Sequence, residues 1–252
     1  SKNPNFYEID GSEKIEVRFG WWRMSDTTCP VLRPTAEEFR DFRSYLRTLD
    51  KYHSAGIVKV IPPKECVFKR DYDPANLDME LSHYYEQASR RIENDGGKGI
   101  YDIQLKWREA PISLAEFKDL LDTSEDIPNV RGDDNAQKKV WAKRESKFWR
   151  LMGDKSAPVP KYAGDVNVSL FGNDAAHSWN LNRLDSLLQT VGQHYGGVTD
   201  SMCYVGQYRA MFACHVEDMD LYSINYLHTG LPKSWYSIST EQKNFFENIA
   251  AT

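Results

Sequence analysis

The feature that most limits how this chain can fold is a series of short, strand-like runs after Gly196-Gly197. The runs cover residues 202–214, 221–228 and 235–238, and each is rich in Tyr, Val, Ile or Phe. Asp residues or a Gly-x-Pro turn separate them, with no helical pattern in between. Consecutive short strands of this kind are typical of an antiparallel sandwich or barrel. The C-terminal part is therefore predicted to be mainly antiparallel β.

Helical patterns dominate the chain before these runs. Thr35 and Glu38 form one predicted capping box, and Ser113 and Glu116 form another, so a helix is expected to begin at each. Other elements are predicted from apolar spacing: helices over 84–93, 138–152 and 179–191, and a strand over 56–61. Basic residues alternate with aromatic ones in 138–152, which indicates a solvated amphipathic face rather than nucleic-acid binding. The fold class that follows is α+β.

Composition excludes several classes of protein. The 252 residues are 40% hydrophobic and 13% aromatic, so a wholly disordered chain is excluded. The net charge of −5 argues against a protein held mainly by DNA phosphates, and no sequence-specific DNA binding is evident. No apolar run approaches the roughly 20 residues of a membrane span. The four cysteines form no C-x-x-C pair, which indicates neither a zinc finger nor a disulfide scaffold.

The candidate chemistry lies in the segment over 212–236, which contains His215-Val216-Glu217. Residues two apart on a strand point to the same face, so the imidazole and the carboxylate would converge. Such a pair forms part of the arrangement of two histidines and one carboxylate that holds Fe(II). Three-residue matches also arise by chance, and the alternative is that His215 is an ordinary core histidine.

Two further polar residues follow at intervals of eight, Asn225 and Lys233. A lysine that projects into a strand-lined cavity is costly to desolvate unless an anion meets it. A dicarboxylate would supply that anion, and Phe212 could pack against its carbon chain. The alternative places Lys233 on the surface beside the Gly-x-Pro turn.

With these residues in view, the segment resembles the JmjC domain of the Jumonji histone lysine demethylases, the branch that acts on trimethyl-lysine. The resemblance rests on H-x-E-D-M-D-L-Y-S-I-N-Y-L-H, followed by G-x-P-K-S-W-Y, over 215–236. Residues 34–65 are similar to the JmjN element of that branch, and 159–171 (VPKYAGDVNVSLF) to the beginning of its catalytic domain. The fold it implies is a double-stranded β-helix (jelly-roll or cupin-like) surrounded by helices.

The resemblance implies a role for each matching residue. It implies that His215 and Glu217 bind the iron and are catalytic. The residues implied to bind the co-substrate 2-oxoglutarate are Tyr162, Asn225, Lys233, Phe212 and Trp235, and those implied to bind the substrate are Tyr204, Asp165 and Glu217. The implied reaction, which needs Fe(II) and 2-oxoglutarate, hydroxylates a methyl group on tri- or dimethyl-lysine of the histone 3 tail and releases formaldehyde. The resemblance implies that lysine 9 and/or lysine 36 of histone 3 is demethylated. It also implies that the partner is a nucleosome and that the protein acts in the nucleus.

The chain also departs from the family's pattern. The family's third iron ligand, a histidine, and its structural zinc ligands are expected beyond residue 252, so this chain alone is predicted to bind iron weakly and to turn over little. The implied division is a lead-in over 1–29, JmjN over 30–70, a helical linker or insert over 71–158, and an incomplete JmjC over 159–252. Two alternatives stay open: an inactive JmjN–JmjC chromatin scaffold, and a 2-oxoglutarate-dependent protein hydroxylase.

Overall fold

The computed structural model describes residues 18–19, 22–23, 29–68, 72–73, 76–92, 100–108, 111–121, 134–171 and 177–251. Ten strands are assigned in these ranges: β1 (Arg18–Phe19), β2 (Trp22–Arg23), β3 (Val31–Leu32), β4 (Lys59–Val60), β5 (Glu80–Leu81), β6 (Tyr84–Arg91), β7 (Tyr101–Arg108), β8 (Ile112–Ser113), β9 (Lys161–Val166) and β10 (Cys203–Gly206). Four α-helices accompany them: α1 (Phe42–Leu49), α2 (Leu114–Asp119), α3 (Asp134–Leu151) and α4 (Lys243–Ala251).

The largest sheet has four strands in the order β10-β9-β6-β7, and every neighbouring pair is antiparallel. The long β6–β7 pair runs from Tyr84 opposite Arg108 to Arg91 opposite Tyr101. Two short pairs are also antiparallel, β1 with β2 and β5 with β8, whereas β3 and β4 are parallel. The prediction of antiparallel sheets accompanied by helices is confirmed. None of the helices in the described ranges is both long and apolar enough to span a membrane.

The main core fills the space between β9, β5 and α2. Its buried members are apolar side chains from these elements and the preceding loop: Leu77, Met79, Leu81, Leu114, Phe117, Ala163 and Val166. The capping box predicted at Ser113 is present, since Ser113 accepts from the Glu116 backbone and Glu116 accepts from the Ser113 backbone. This cap begins α2 at the point where Leu114 and Phe117 enter the core.

A second core holds the N-terminal helical region. The Trp179 ring stacks on Phe39 at 4.1 Å and meets Phe42 edge-on at 5.0 Å. The predicted capping box of Thr35 and Glu38 is also present, but the helix it begins is interrupted. Asp41 adopts extended backbone and caps α1 separately, through a 2.6 Å bond from the Ser44 amide.

Two predicted helices are wrong. The sequence predicts a helix over 84–93, yet residues 84–91 form β6, because Tyr85 and Gln87 alternate into the buried face while Tyr85 and Glu86 pair with β9. The predicted helix over 179–191 is instead two 3-10 turns, Leu181–Arg183 and Leu187–Val191. Between the two turns, Arg43 donates to both the carboxylate and the carbonyl of Asp185, and Leu184 and Ser186 on either side have extended backbone. The helix predicted over 138–152 is confirmed as α3.

The three strand-like runs near the C-terminus are only partly strands. The run 202–214 contains β10 but then turns at Arg209, which has a φ of +75°. The runs 221–228 and 235–238 contain no strand, because within the described residues they find no ladder partner. Only part of the predicted lead-in over 1–29 is described. The predicted linker over 71–158 holds strands β5–β8 as well as two helices, and β6 and β7 share a sheet with β9 and β10.

Candidate functional site

Strands β9 and β10 present two aromatic side chains at one end of the sheet. The Tyr162 and Tyr204 rings stack with centroids 6.1 Å apart, and the Phe212 ring stands edge-on to both at 5.4 Å. Tyr162 is 4% exposed, so it forms the floor of this group. Burial raises the pKa of both tyrosines, and for Tyr204 the hydrogen bond to Asp165 adds to the effect. The site is therefore walled by neutral phenols.

Lys233 places its ammonium among three rings. Its Nζ lies 5.0 Å from the Phe212 centroid and 5.7 Å from those of Tyr204 and Trp235. We call Lys233 and these three rings the lysine pocket. Burial lowers the pKa of Lys233, and within the described ranges no carboxylate forms an ion pair with it. Ring faces stabilise a cation only in part, so the pocket has capacity for an anion.

His215 and Glu217 lie near the lysine pocket and face each other. His215 Nε2 is 3.8 Å from Glu217 Oε1, and both side chains are about half exposed, at 51% and 45%. His215 Nδ1 lies 2.8 Å from the Ala213 carbonyl oxygen. That oxygen can only accept, so Nδ1 carries a proton, and in the neutral imidazole the lone pair of Nε2 points toward Glu217.

This arrangement sets two electron-pair donors against each other. A neutral imidazole nitrogen and a carboxylate oxygen repel unless a proton or a metal cation lies between them. The backbone bond at Nδ1 is the orienting contact that metal-binding histidines commonly make. The chemistry of the pair therefore fits a metal ion, although no group of three or more His, Cys, Asp or Glu side chains suited to a metal occurs in the described residues.

Asp165 forms a hydrogen-bonded pair with Tyr204, one of the two stacked phenols. Tyr204 donates its hydroxyl proton to Asp165 Oδ1 at 2.7 Å. Asp165 lies at the exposed turn of β9 with a φ of +54°. Since the proton is committed to Asp165, the free lone pairs of the Tyr204 oxygen are available to a cationic group.

The remaining predicted residue, Asn225, is joined to this group by no contact among the described residues. It is exposed, in a segment without regular structure, and makes no hydrogen bond to the other site residues in the described ranges. The structure thus brings together Tyr162, Tyr204, Phe212, Lys233 and Trp235, with His215 joined through a 6.2 Å ring contact to Phe212.

Two sets of side-chain hydrogen bonds hold segments of the site in place and were not predicted from the sequence. Gln87 of β6 is 3% exposed and bonds both backbone groups of Met211, at 2.8 Å each, directly before Phe212. On α3, Trp149 Nε1 donates to the Tyr236 hydroxyl at 3.0 Å, and that hydroxyl donates to Glu145. A glutamine within a polar run carries no signal of burial, and neither do a glutamate and a tryptophan on a charged helix.

Comparison with known proteins places these residues in a family. The JmjC domain, described as a hydroxylase, matches residues 202–252, and the jmjN domain matches residues 30–62. The two matches have the order and the positions of the segments whose residues form the site and the N-terminal core. This chain belongs to the Jumonji proteins.

Curated relatives of this Jumonji chain have closely related names. Lysine-specific demethylase 4B of Mus musculus is 34% identical over 231 residues, covering 88% of this chain and 20% of the relative. Lysine-specific demethylase 4D of Rattus norvegicus is 31% identical over 228 residues, 87% of this chain and 41% of the relative. A probable lysine-specific demethylase 4F of Homo sapiens is 32% identical over 231 residues, covering 88% of this chain and 33% of the relative. The Jumonji chain thus spans less than half the length of these relatives.

Proposed function

We propose that this protein takes part in Fe(II)- and 2-oxoglutarate-dependent demethylation of tri- and dimethyl-lysine on the histone 3 tail, at lysine 9 and/or lysine 36, in the nucleus. One observation carries the proposal. An imidazole nitrogen and a carboxylate oxygen converge 3.8 Å apart beside an ammonium that three rings surround. The names of the curated relatives, lysine-specific demethylases, support the lysine demethylation in this proposal.

His215 and Glu217 would hold the iron. The Ala213 carbonyl holds the proton on Nδ1, so Nε2 is the nitrogen that would bind a metal. Two protein ligands hold a divalent ion weakly, and we expect low iron affinity from the described residues alone. When bound, the iron and the reductant 2-oxoglutarate would activate O2, one atom of which hydroxylates a methyl group, and the hydroxymethyl group is then lost from nitrogen as formaldehyde.

Lys233 would hold one carboxylate of 2-oxoglutarate. The carboxylate would replace the hydration that the Lys233 ammonium loses on burial. The surrounding rings would pack against the carbon chain of 2-oxoglutarate. Tyr162 forms the floor of the same group, and Asn225 would have to turn inward to contribute. The same rings would also exclude water from the 2-oxoglutarate site.

The methylated side chain would lie against Tyr204 and Asp165, with Glu217 nearby. A methylated ammonium donates few hydrogen bonds and spreads its charge over its methyl groups, so oxygen lone pairs and ring faces recognise it best. The bond from Tyr204 to Asp165 turns the phenol lone pairs outward and keeps the ring stacked on Tyr162. We infer a jelly-roll fold for the JmjC region on family grounds, and the domain boundaries given above stay a prediction.

Formaldehyde release tests the proposal directly. The chain is incubated with a trimethyl-lysine histone 3 peptide, Fe(II), ascorbate and 2-oxoglutarate, beside a His215→Ala variant. We expect slow release from the wild-type chain and none above background from the variant. Equal release from both proteins would exclude the assigned iron ligand.

The same preparation separates the two alternatives. A protein hydroxylase would add one oxygen atom to an unmethylated peptide, which mass spectrometry detects. An inactive scaffold would show neither product nor saturable Fe(II) binding in a titration. Demethylation requires saturable Fe(II) binding, a loss of methyl mass and no gain of oxygen on the unmethylated peptide.

A further inference from the structure

Strand β7 forms one edge of the largest sheet, and none of the roles above uses it. The strand pairs with β6 along its whole length, and no strand lies on its other side among the residues that the structure describes. Its eight residues, Tyr101–Arg108, contain neither proline nor glycine, and the last five are exposed. An edge of this kind presents backbone donors and acceptors to another strand. It is therefore suited to binding an extended chain.

The pairing with β6 determines which backbone groups face this edge. The Ile92 amide donates to the Ile100 carbonyl at 3.0 Å, one step beyond the β6–β7 ladder. Hydrogen-bonded and non-hydrogen-bonded positions alternate along an antiparallel pair, so the even-numbered residues of β7 bond to β6. The amide and carbonyl groups of the odd-numbered residues then point outward. A strand added at this edge has to bond to residues 101, 103, 105 and 107.

The charges of β7 are complementary to those of a second, antiparallel copy of the same strand. If Gln104 lies opposite Gln104 of the second copy, each Asp102 faces a Lys106 across the junction, a pairing that stabilises a sheet. Within one chain, Asp102 already contacts Arg90 at 3.9 Å, and Lys106 contacts Glu86 at 4.0 Å. The junction extends these contacts into a row of alternating sign over four strands: Arg90, Asp102, Lys106 and Glu86. Charges usually protect a sheet edge from other strands, whereas these favour one partner.

The apolar side chains of β7 match in the same register. Ile103 faces Leu105 of the second copy, and Tyr101 faces Trp107. In the single chain Leu105 is 46% exposed and Trp107 52% exposed, so the contact removes apolar surface from water. Odd-numbered residues lie opposite odd-numbered ones, as the outward backbone groups require. Centring the pair one residue earlier breaks the ion pairs, and centring it one residue later moves Tyr101 beyond the end of the paired strand.

We propose that two copies of this chain associate by antiparallel pairing of β7 with β7, centred on Gln104, to form one continuous eight-stranded sheet. The contact is small, so the association is weak and a dilute chain is monomeric. Strand β10, which carries Tyr204, is at the far end of the sheet from the junction. At about 4.8 Å between strands, the two candidate sites lie roughly 34 Å apart and both stay open. The inference goes beyond the proposed function and does not depend on it.

Sedimentation velocity over a concentration series tests the proposal on the 252-residue chain. Lys106→Glu places a carboxylate opposite Asp102, and Asp102→Lys places an ammonium opposite Lys106. We expect each variant alone to associate at least tenfold more weakly than wild type. An equimolar mixture of the two restores both ion pairs and should associate within about threefold of wild type. Lys118→Glu, the same charge change at an exposed position of α2, is the control and should associate within about twofold of wild type.

A cross-link tests the register. In the proposed pair, the two Gln104 residues occupy a non-hydrogen-bonded position with Cα atoms about 4.5 Å apart, which is within the range of a disulfide. We expect Gln104→Cys to form a disulfide-linked dimer under mild oxidation. Wild type, with its four native cysteines, and Leu105→Cys should form much less. Stronger cross-linking of Leu105→Cys than of Gln104→Cys would overturn the proposed register.

Three results of the sedimentation experiment would overturn the proposal. A wild-type chain that is monomeric at every concentration would leave the edge to a strand of another protein. Equal association of wild type and both charge variants would place the contact elsewhere. A mixture that associates no better than its components would exclude the facing ion pairs. Thermal unfolding confirms that the variants are folded.

The outcome is independent of the test of the proposed function. Asp102 and Lys106 belong to no part of the candidate site, so formaldehyde release per chain should be the same in both variants as in wild type. Association that follows the charges supports the β7 contact even when no demethylation is detected. Demethylation by a chain that never associates overturns the β7 contact alone.

Discussion

Among the described residues, no carboxylate pairs with the Lys233 ammonium, so the lysine pocket lowers the stability of the ligand-free chain and leaves the ammonium open to an anion. We expect Lys233→Met to raise the stability of the ligand-free chain by about 1 kcal/mol, because an unpaired half-buried ammonium is replaced by an apolar side chain of similar length. The same change should abolish stabilisation by 2-oxoglutarate. Thermal unfolding with and without 2-oxoglutarate measures both effects, and an unchanged response to 2-oxoglutarate would contradict the assignment.

The pH dependence of this difference has a defined sign. Burial lowers the pKa of Lys233 below its ordinary value of 10.5, so the unfolded chain binds the proton more tightly than the folded chain. The cost of the buried charge is complete below the folded pKa and declines as the pH rises through it. The stability advantage of Lys233→Met should therefore shrink between neutral pH and pH 10.5.

Gly206 is a residue whose missing side chain shapes the site. A Cβ atom there would lie 2.8 Å from Tyr162 Cδ2 and 3.0 Å from Ala210 Cβ. We expect Gly206→Ala to displace the Tyr162 ring and to cost about 2 kcal/mol in urea unfolding. It should also weaken the thermal response to 2-oxoglutarate. Gly192→Ala is the control, since its φ of +69° costs about 1 kcal/mol but no atom lies within 4 Å.

For individual residues, the sequence predicted which side chains lie close together more reliably than it predicted the secondary structure around them. The spacing of His215 and Glu217 predicted convergence on one face, and the two side chains do converge, although the segment is not a strand. Residues two apart point the same way in any extended backbone, so the prediction did not need a ladder. The role assigned to Asn225 stays a prediction, because its position depends on contacts between distant segments, which spacing does not encode.

At the scale of elements, the misread strand β6 shows where periodicity fails. Its inward positions include Tyr85 and Gln87, and a buried glutamine hides the alternation that a strand normally shows. The two capping boxes were predicted correctly because their chemistry is local to four residues. The segment over 179–191 is broken near Asp185, which bonds Arg43, a residue far away in sequence that no local pattern contains.

Gln87 links β6 to the segment that carries Phe212. We expect Gln87→Leu to cost about 2 kcal/mol, because both backbone groups of Met211 lose their partner and are only partly reachable by water. Gln104→Leu, at an exposed position of neighbouring β7, should change stability by less than about 0.5 kcal/mol. Urea unfolding compares the two. Equal effects would mean that the bonds to Met211 contribute little.

Helix α3 holds the other flank of the lysine pocket through Tyr236, next to Trp235. Tyr236→Phe removes the bonds with Trp149 and Glu145 and should cost about 1 to 2 kcal/mol. Amide hydrogen exchange in α3 should quicken, since this contact helps hold the helix in place. Tyr222→Phe removes a hydroxyl from a side chain that is 81% exposed and should leave exchange unchanged. Unchanged exchange in Tyr236→Phe would show that α3 is held by other contacts.

At the scale of the whole molecule, the site is assembled from segments that are distant in sequence. The floor comes from β9, one wall from β10, and the remaining groups from residues 212–235, where several large side chains stay exposed, among them Val216, Tyr222 and Trp235. The sequence indicated the antiparallel class and the order of segments. It could not indicate that β6 and β7 would join the same sheet, because their pairing depends on long-range register.

The two proposed ligands should stabilise the molecule cooperatively. Phe212 contacts the His215 ring at 6.2 Å and lies 5.0 Å from Lys233 Nζ, so a metal at His215 and a dicarboxylate at Lys233 order the same side chain. We expect the thermal shift with Fe(II) and 2-oxoglutarate together, measured without oxygen, to exceed the sum of the separate shifts. Linkage requires each ligand to raise the affinity of the other by the same factor.

Two variants dissect that coupling. His215→Ala should abolish the shift with Fe(II) and reduce the shift with both ligands to that of 2-oxoglutarate alone, whereas Lys233→Met should do the reverse. Strictly additive shifts in the wild-type chain would contradict a shared cavity. A metal shift that persists in His215→Ala would place the ion elsewhere, and the convergence of His215 and Glu217 would then need another explanation.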